Sequence, residues 1–232
     1  MSISAVINRL RGLPIPVLHR QGGDGVALTI DDGPTPEATP GILAALRRHD
    51  AIATFFVSGA RAEAHPDLLA AMAADGHTIC NHGYDHLRLD KIDDAAVAAD
   101  LARAEAVLSR VRPTPSPYPL RLPFGEGWRA RSVHRAISAW RPDACIVQWT
   151  RHAHDWDIAA RCAAASDVDR EARKASDELT RAEGLAGAIL LAHDRPIDAT
   201  HPLADAASVK FIEQVLDNLC SAGVRIVPLD VR

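Results

Sequence analysis

Short apolar, β-branched runs recur at Val26 to Ile30, Ala53 to Val57, His77 to Cys80, Tyr118 to Leu122, Ala144 to Trp149, Ala186 to Leu191 and Val224 to Leu229. Runs of this length without polar alternation read as strands buried on both faces. Between most of them apolar residues return at helical spacing, as in Thr39 to His49, Pro66 to Asp75, Asp93 to Arg110 and Ser208 to Ala222. Strands alternating with helices imply parallel pairing through right-handed crossovers, hence an α/β barrel or an open doubly wound sheet. No Gly-x-Gly-x-x-Gly follows the first strand and no Gly-Lys-Ser/Thr loop occurs, so a nucleotide-binding sheet has no support. Ile3, Val6, Ile7 and Leu10 fall at helical spacing. Residues 1–24 are therefore expected to form an N-terminal helix with a lead-in segment, and 25–232 a single barrel. The stretch from Arg161 to Ala182 is Ala- and charge-rich and reads as a long helix decorating that barrel.

Composition narrows the class. The chain has 232 residues, 47% of them hydrophobic and 24% charged, with formal net charge -4. A collagenous, disordered or disulfide-stapled chain would depart from such values, and roughly 200 to 250 residues is ordinary for one α/β barrel. Phosphate binding is driven by a basic excess that is missing here, which argues against nucleic acid as a partner. Cys80, Cys145, Cys162 and Cys220 are scattered, the pattern of reduced thiols. No run approaches the roughly 20 apolar residues of a membrane helix. Asn8, Arg9, Arg11, Gly12 and Pro14 interrupt the N-terminal apolar residues, so no secretory signal is read there and a cytoplasmic location is expected.

The candidate chemistry sits just after the strands. Asp31-Asp32-Gly33-Pro34 follows the first, His82 and His86 the third, Arg121 ends the fourth, Asp155-Trp156 follows the fifth and His193-Asp194 ends the sixth. In a parallel barrel the C-terminal strand ends share one mouth, so these distant groups would converge. Asp-Asp-Gly-Pro is equally an ordinary turn signal. His82 and His86 are four residues apart, a spacing that lets two imidazoles grip one metal, although paired histidines are more often solvated or core residues. Two histidines with one carboxylate make a tridentate N,N,O set that leaves a position open for water.

Taken together, Thr29-Ile30-Asp31-Asp32-Gly33-Pro34, Asn81-His82-Gly83-Tyr84-Asp85-His86, Arg121-Leu122-Pro123-Phe124-Gly125, Trp149 with Asp155-Trp156, and Leu190-Leu191-Ala192-His193-Asp194 resemble the five ordered motifs of the polysaccharide deacetylase family. This is carbohydrate esterase family four, which shares the homology domain of the rhizobial chitooligosaccharide deacetylases. The resemblance runs from about residue 25 to 230. It implies an irregular, TIM-like (β/α) barrel of seven or eight strands, and metal-dependent removal of N-acetyl, sometimes O-acetyl, groups from sugars, with acetate as product.

By motif position the resemblance makes Asp32, His82 and His86 the ligands of one divalent transition metal, Zn2+ first, with Co2+, Ni2+ or Mn2+ as substitutes. It makes Asp31 the general base, Arg121 its orienting partner, His193 the general acid and Asp155 the carboxylate behind that imidazole. Phe124 would offer its backbone N–H to the oxyanion, where many relatives carry Tyr. Leu191 would line the acetyl pocket, and Trp149 and Trp156 the groove wall, although barrel packing explains the tryptophans as simply. His77 precedes the metal loop and is expected to back it, whereas Cys80, although close to the proposed ligands, reads as a small buried strand residue. Many relatives have an Asp three residues before the position of Asp155, and here that residue is His152. Two rival readings accompany the deacetylase: a deformylase or amidohydrolase acting on a lipid-linked sugar or a non-sugar amide, and a non-catalytic carbohydrate-binding barrel.

Overall fold

A computed structural model describes residues 13–196 and 199–231. The expected helix on Ile3 to Leu10 lies outside these residues. Strands β1 (Val17–Leu18), β2 (Ala27–Asp31), β3 (Thr54–Val57), β4 (Thr78–Asn81), β5 (Tyr118–Leu120), β6 (Ala144–Val147) and β7 (Ile189–His193) form one sheet in the order β1-β6-β5-β4-β3-β2-β7, every pair parallel. Helices α1 (Thr39–Arg48), α2 (Gly59–Ala64), α3 (Pro66–Ala74), α4 (Asp94–Leu108), α5 (Arg131–Trp140), α6 (Val168–Leu179) and α7 (Ala204–Ser221) accompany the sheet. The sheet curls, because the segment after β6 returns beside β7: Thr150 N–H donates to the Ile189 carbonyl at 2.8 Å, and Leu191 N–H to the Arg151 carbonyl at 2.9 Å. The result is the expected irregular (β/α) barrel.

Strand periodicity sorts the side chains. In β2, Leu28 and Ile30 belong to the cluster that includes Phe55, Ile42, Leu46, Phe211 and Val215 from β3, α1 and α7. The alternate residue Ala27 belongs with Phe56, Cys80, Val147 and Ile189. A period of two therefore puts Thr29 and Asp31 on the same face as Ala27. A second cluster joins Leu120 and Ile146 to Leu101 of α4 and Ile137 of α5. Full burial of residues such as Phe55, Phe56 and Phe211 stabilises the fold by roughly 1.5–3 kcal/mol each.

Three expectations change. The lead-in segment supplies β1, whose two residues are too few for a periodic pattern to reveal. Val224 to Leu229 is not a strand: it touches the sheet through a parallel bridge from Ile226 to Val26, and Arg225 and Pro228 are exposed. Pro228 lacks the N–H that would continue a ladder. The stretch from Arg161 forms short 3-10 turns first, and α6 begins at Val168, because the Asp167 carboxylate accepts from the Ala163 and Ala164 amides, both at 3.0 Å. Among the described residues no helix is long and apolar enough to cross a membrane.

Candidate active site

Each polar residue singled out after a strand sits at one end of the barrel because parallel strands all finish there. Asp32 follows β2, His82 follows β4, Arg121 follows β5, and His193 is the last residue of β7, paired in register with Asp31. His82 Nδ1–H donates to the Arg121 carbonyl at 2.9 Å, which turns Nε2 toward Asp32. Asp32 Oδ1 lies 3.4 Å from His82 Nε2 and 3.2 Å from His86 Nε2. All three ligand atoms fall within 4.8 Å of one another. Burial opposes charge on Asp32, but hydrogen bonds from His82 and His86 overrule it and hold the carboxyl well below the ordinary range. A buried anionic oxygen and two imidazole nitrogens converging on one point fit a divalent transition cation. Asp32 (φ 74°) and His86 (φ 53°) both adopt left-handed backbone conformations. Such conformations are costly for side-chain-bearing residues and persist only where the surroundings enforce them.

Two ion pairs flank this group. Arg121 is fully buried and donates to Asp31 Oδ1 at 2.7 Å and to Thr29 Oγ1 at 2.8 Å from one nitrogen, and to the Val147 and Gln148 carbonyls, both at 3.1 Å, from the others. Its guanidinium also lies over the Phe56 ring, 4.2 Å from the centroid. With five contacts it has one orientation, and so has Asp31. Across the site, both Asp155 oxygens lie 3.1 Å from His193 Nδ1, and Oδ2 also accepts the His193 backbone N–H at 2.7 Å. Nδ1 is therefore the protonated partner of Asp155, and Nε2 is left for the cavity. Burial opposes charge on His193, but Asp155, with help from Asp32 and Asp31, pushes its pKa up to about 9.

Asp31, Asp32, His82, His86, Phe124, Trp149, Trp156, Leu191 and His193 line a single cavity of about 320 Å³. Arg121 and Asp155 stand behind its wall, gripping Asp31 and His193. Phe124 (φ 59°) packs on His86 with ring centroids 4.5 Å apart. Trp156 meets His193 edge-on at 5.3 Å, and His152 stacks on Trp156 at 5.6 Å with 20° between the planes. Burial and the neighbouring His154 lower the His152 pKa, so an uncharged ring supports Trp156.

His77 does not back the metal loop. It precedes β4, at the far end of that strand from the loop, and its Nδ1 accepts the Ala53 N–H at 3.3 Å. Cys80 lies in the barrel interior, where burial pushes its thiol up to about 12. The sequence reading missed Arg88 and Glu126, paired at the rim of the cavity, because exposed charges carry no distinguishing pattern. Asp194 was signalled only by its place beside His193. Its carboxylate accepts from Thr35 Oγ1 and Thr39 Oγ1, both at 2.6 Å, and fills the space where a Gly33 Cβ would stand 2.7 Å from Oδ2. It thus braces the turn that carries Asp32.

Residues 19–139 match the family described as polysaccharide deacetylase. The chain is 30% identical over 230 residues to a chitooligosaccharide deacetylase of Bradyrhizobium sp. (strain ANU 289), spanning 94% of this chain and 96% of the relative. It is 29% identical over 204 residues to a peptidoglycan-N-acetylglucosamine deacetylase of Bacillus cereus, spanning 88% of this chain and 66%, just under two thirds, of that longer relative. Among solved structures, a peptidoglycan N-acetylglucosamine deacetylase in complex with 4-naphthalen-1-yl-N-oxidanyl-benzamide superposes with a TM-score of 0.73 at 28% identity, covering 92% of this chain and 90% of that one. The family match runs through the loops bearing Asp31, Asp32, His82, His86 and Arg121, and the Bradyrhizobium relative aligns nearly end to end: the chain belongs to the polysaccharide deacetylase family.

Proposed function

We propose that this protein is a metal-dependent hydrolase that removes N-acetyl groups, and by the same chemistry O-acetyl groups, from an amino sugar or its oligomers. The observation that carries this reading is the pairing of Asp31 with Arg121 and of His193 with Asp155 on either side of the Asp32, His82 and His86 group. Those three residues would hold the cation, for which Zn2+ is the first choice. When bound it supplies Lewis acidity, lowering the pKa of water from 15.7 to about 7 and polarising a carbonyl oxygen.

The remaining work falls to the chain's own groups. Asp31, oriented by Arg121, accepts the proton of the attacking water at its carboxylate. The Phe124 N–H donates to the oxygen that gains charge as the acetyl carbon becomes tetrahedral. His193, held protonated by Asp155, gives the Nε2 proton to the leaving nitrogen, which an amide requires because an unprotonated amine leaves poorly. Leu191 and Trp156 enclose the acetyl methyl, and Trp149 forms the facing wall.

Acetate release from N-acetylglucosamine oligomers tests the assignment. It should vanish with chelator and return with Zn2+, and fall at least about 100-fold in Asp31→Asn and His193→Ala. Turnover indifferent to chelation and to Asp31→Asn refutes the mechanism.

A further inference from the structure

The loop from Asn81 to His86 is held on the side away from the cavity by a carboxylate with no part in the chemistry above. Asp100 of α4 is buried, with 7% of its surface exposed. Its Oδ2 accepts the Tyr84 N–H at 2.9 Å and its Oδ1 the Asp85 N–H at 3.0 Å. The Gly83 N–H goes to Asn81 Oδ1 at 2.8 Å. From the other side, the carbonyls of Gly83 and Tyr84 accept the amides of Gly59 and Ala60 at 2.9 and 3.1 Å. The Gly83–Tyr84 and Tyr84–Asp85 peptides are thereby gripped on both edges.

Such a grip is needed. His86 has φ 53°, a conformation that residues bearing a Cβ avoid unless their surroundings impose it. Gly83 has φ 75°, and a Cβ there would come within 2.8 Å of Asp100 Oδ2, so the carboxylate occupies the space that a glycine leaves open. We propose that Asp100 is a positioning residue that presets the metal loop, fixing the Tyr84 and Asp85 peptides so that His82 and His86 present Nε2 to one point before a cation arrives. The inference rests on the reading of Asp32, His82 and His86 as the cation site.

Asp100→Asn separates this role from general support of the fold. The amide oxygen can accept from one of the two N–H groups, but its NH2 then faces the other donor to donor. Zn2+ is titrated into the metal-free 232-residue chain against a chromophoric chelator, and acetate release is followed as Zn2+ is raised. Ligand-supporting groups typically control metal affinity 10- to 100-fold. The Zn2+ dissociation and activation constants should rise by about that factor, with kcat at saturating Zn2+ within about threefold of the parent.

Two companions keep the test decisive. Asp100→Glu retains the charge but pushes the peptides outward, and should give an intermediate loss of affinity. Leu101→Ala empties a core position on the same helix, and should lower stability without raising the Zn2+ activation constant. Equal Zn2+ affinity in the parent and both Asp100 variants overturns the inference alone, as does an equal rise in the activation constant for Leu101→Ala. A parent chain that binds no Zn2+ overturns the cation site itself.

Discussion

His193 shows how a single residue's environment sets its chemistry. Burial alone would favour the neutral imidazole, yet the Asp155 carboxylate against Nδ1 pushes the pKa up to about 9. In its proposed role His193 must be protonated, so activity should fall on the alkaline side as the imidazole loses its proton; a cation on Asp32 offsets that carboxylate's charge and sets this limb below about 9. Asp155→Asn removes the charge and leaves the burial. The alkaline limb of the kcat/KM profile should then move to or below the ordinary imidazole value of about 6.5, with the plateau reduced roughly 100- to 10,000-fold. An unshifted limb would assign it to another group. The same shift makes the folded state the tighter proton binder, so its contribution to stability is complete below about 6.5 and lost as pH rises through about 9.

Arg121 offers a stability test of the opposite pair. Arg121→Met leaves the Asp31 carboxylate buried without its partner, and removes the donors to Thr29 and two carbonyls. Unfolding in urea should show a loss of roughly 3–5 kcal/mol, part of which returns in the Asp31→Asn double variant. Both residues were legible in the sequence because each stands at the end of an apolar run. Asp100 was not: one acid in an Ala-rich helical pattern looks like a solvated position, and only the fold brings the loop amides to it.

At the scale of elements, a strand was readable when both its faces are buried. β2, β3, β4, β6 and β7 are apolar runs packed by helices on one side and by the barrel interior on the other, and each was found within a few residues. Val224 to Leu229 has the same composition without the burial, and β1 has the pairing without the length. Loops are less legible, since their geometry depends on what lies behind them. The turn after β5 illustrates this: Gly125 has φ 64°, and a Cβ there would fall on the Trp149 ring. Gly125→Ala should therefore displace Trp149 from the cavity wall, costing about 1–3 kcal/mol in strain and overpacking. Expected readouts are a changed Trp fluorescence spectrum in a chain that still folds, and a kcat/KM for N-acetylglucosamine oligomers at least about tenfold lower. An unaltered spectrum with full activity would show that the ring has room to move.

For the whole molecule, the barrel brings together groups that are far apart in the chain. Asp32 comes from the loop after β2, and His82 and His86 from the loop after β4, with β3 lying between those strands in the sheet. A cation held by all three would tie two loops together across a strand. The loop backbones are nonetheless satisfied by protein alone: Asp194 braces one and Asp100 the other, so the barrel should fold without metal. Binding to the folded state only then adds stability by mass action, about 2.7 kcal/mol at a free cation concentration 100 times Kd. In a domain of this size each kcal/mol corresponds to about 2–4 °C in Tm. Zn2+ should thus raise Tm by about 5–11 °C above the chelated protein, in a cooperative transition either way. Asp32→Ala should abolish the increment, and should lower the chelated Tm because the carboxyl that His82 and His86 hold ionised is lost. A chelated chain without a cooperative transition would mean that the cation builds the fold, and an increment that survives Asp32→Ala would place the cation elsewhere.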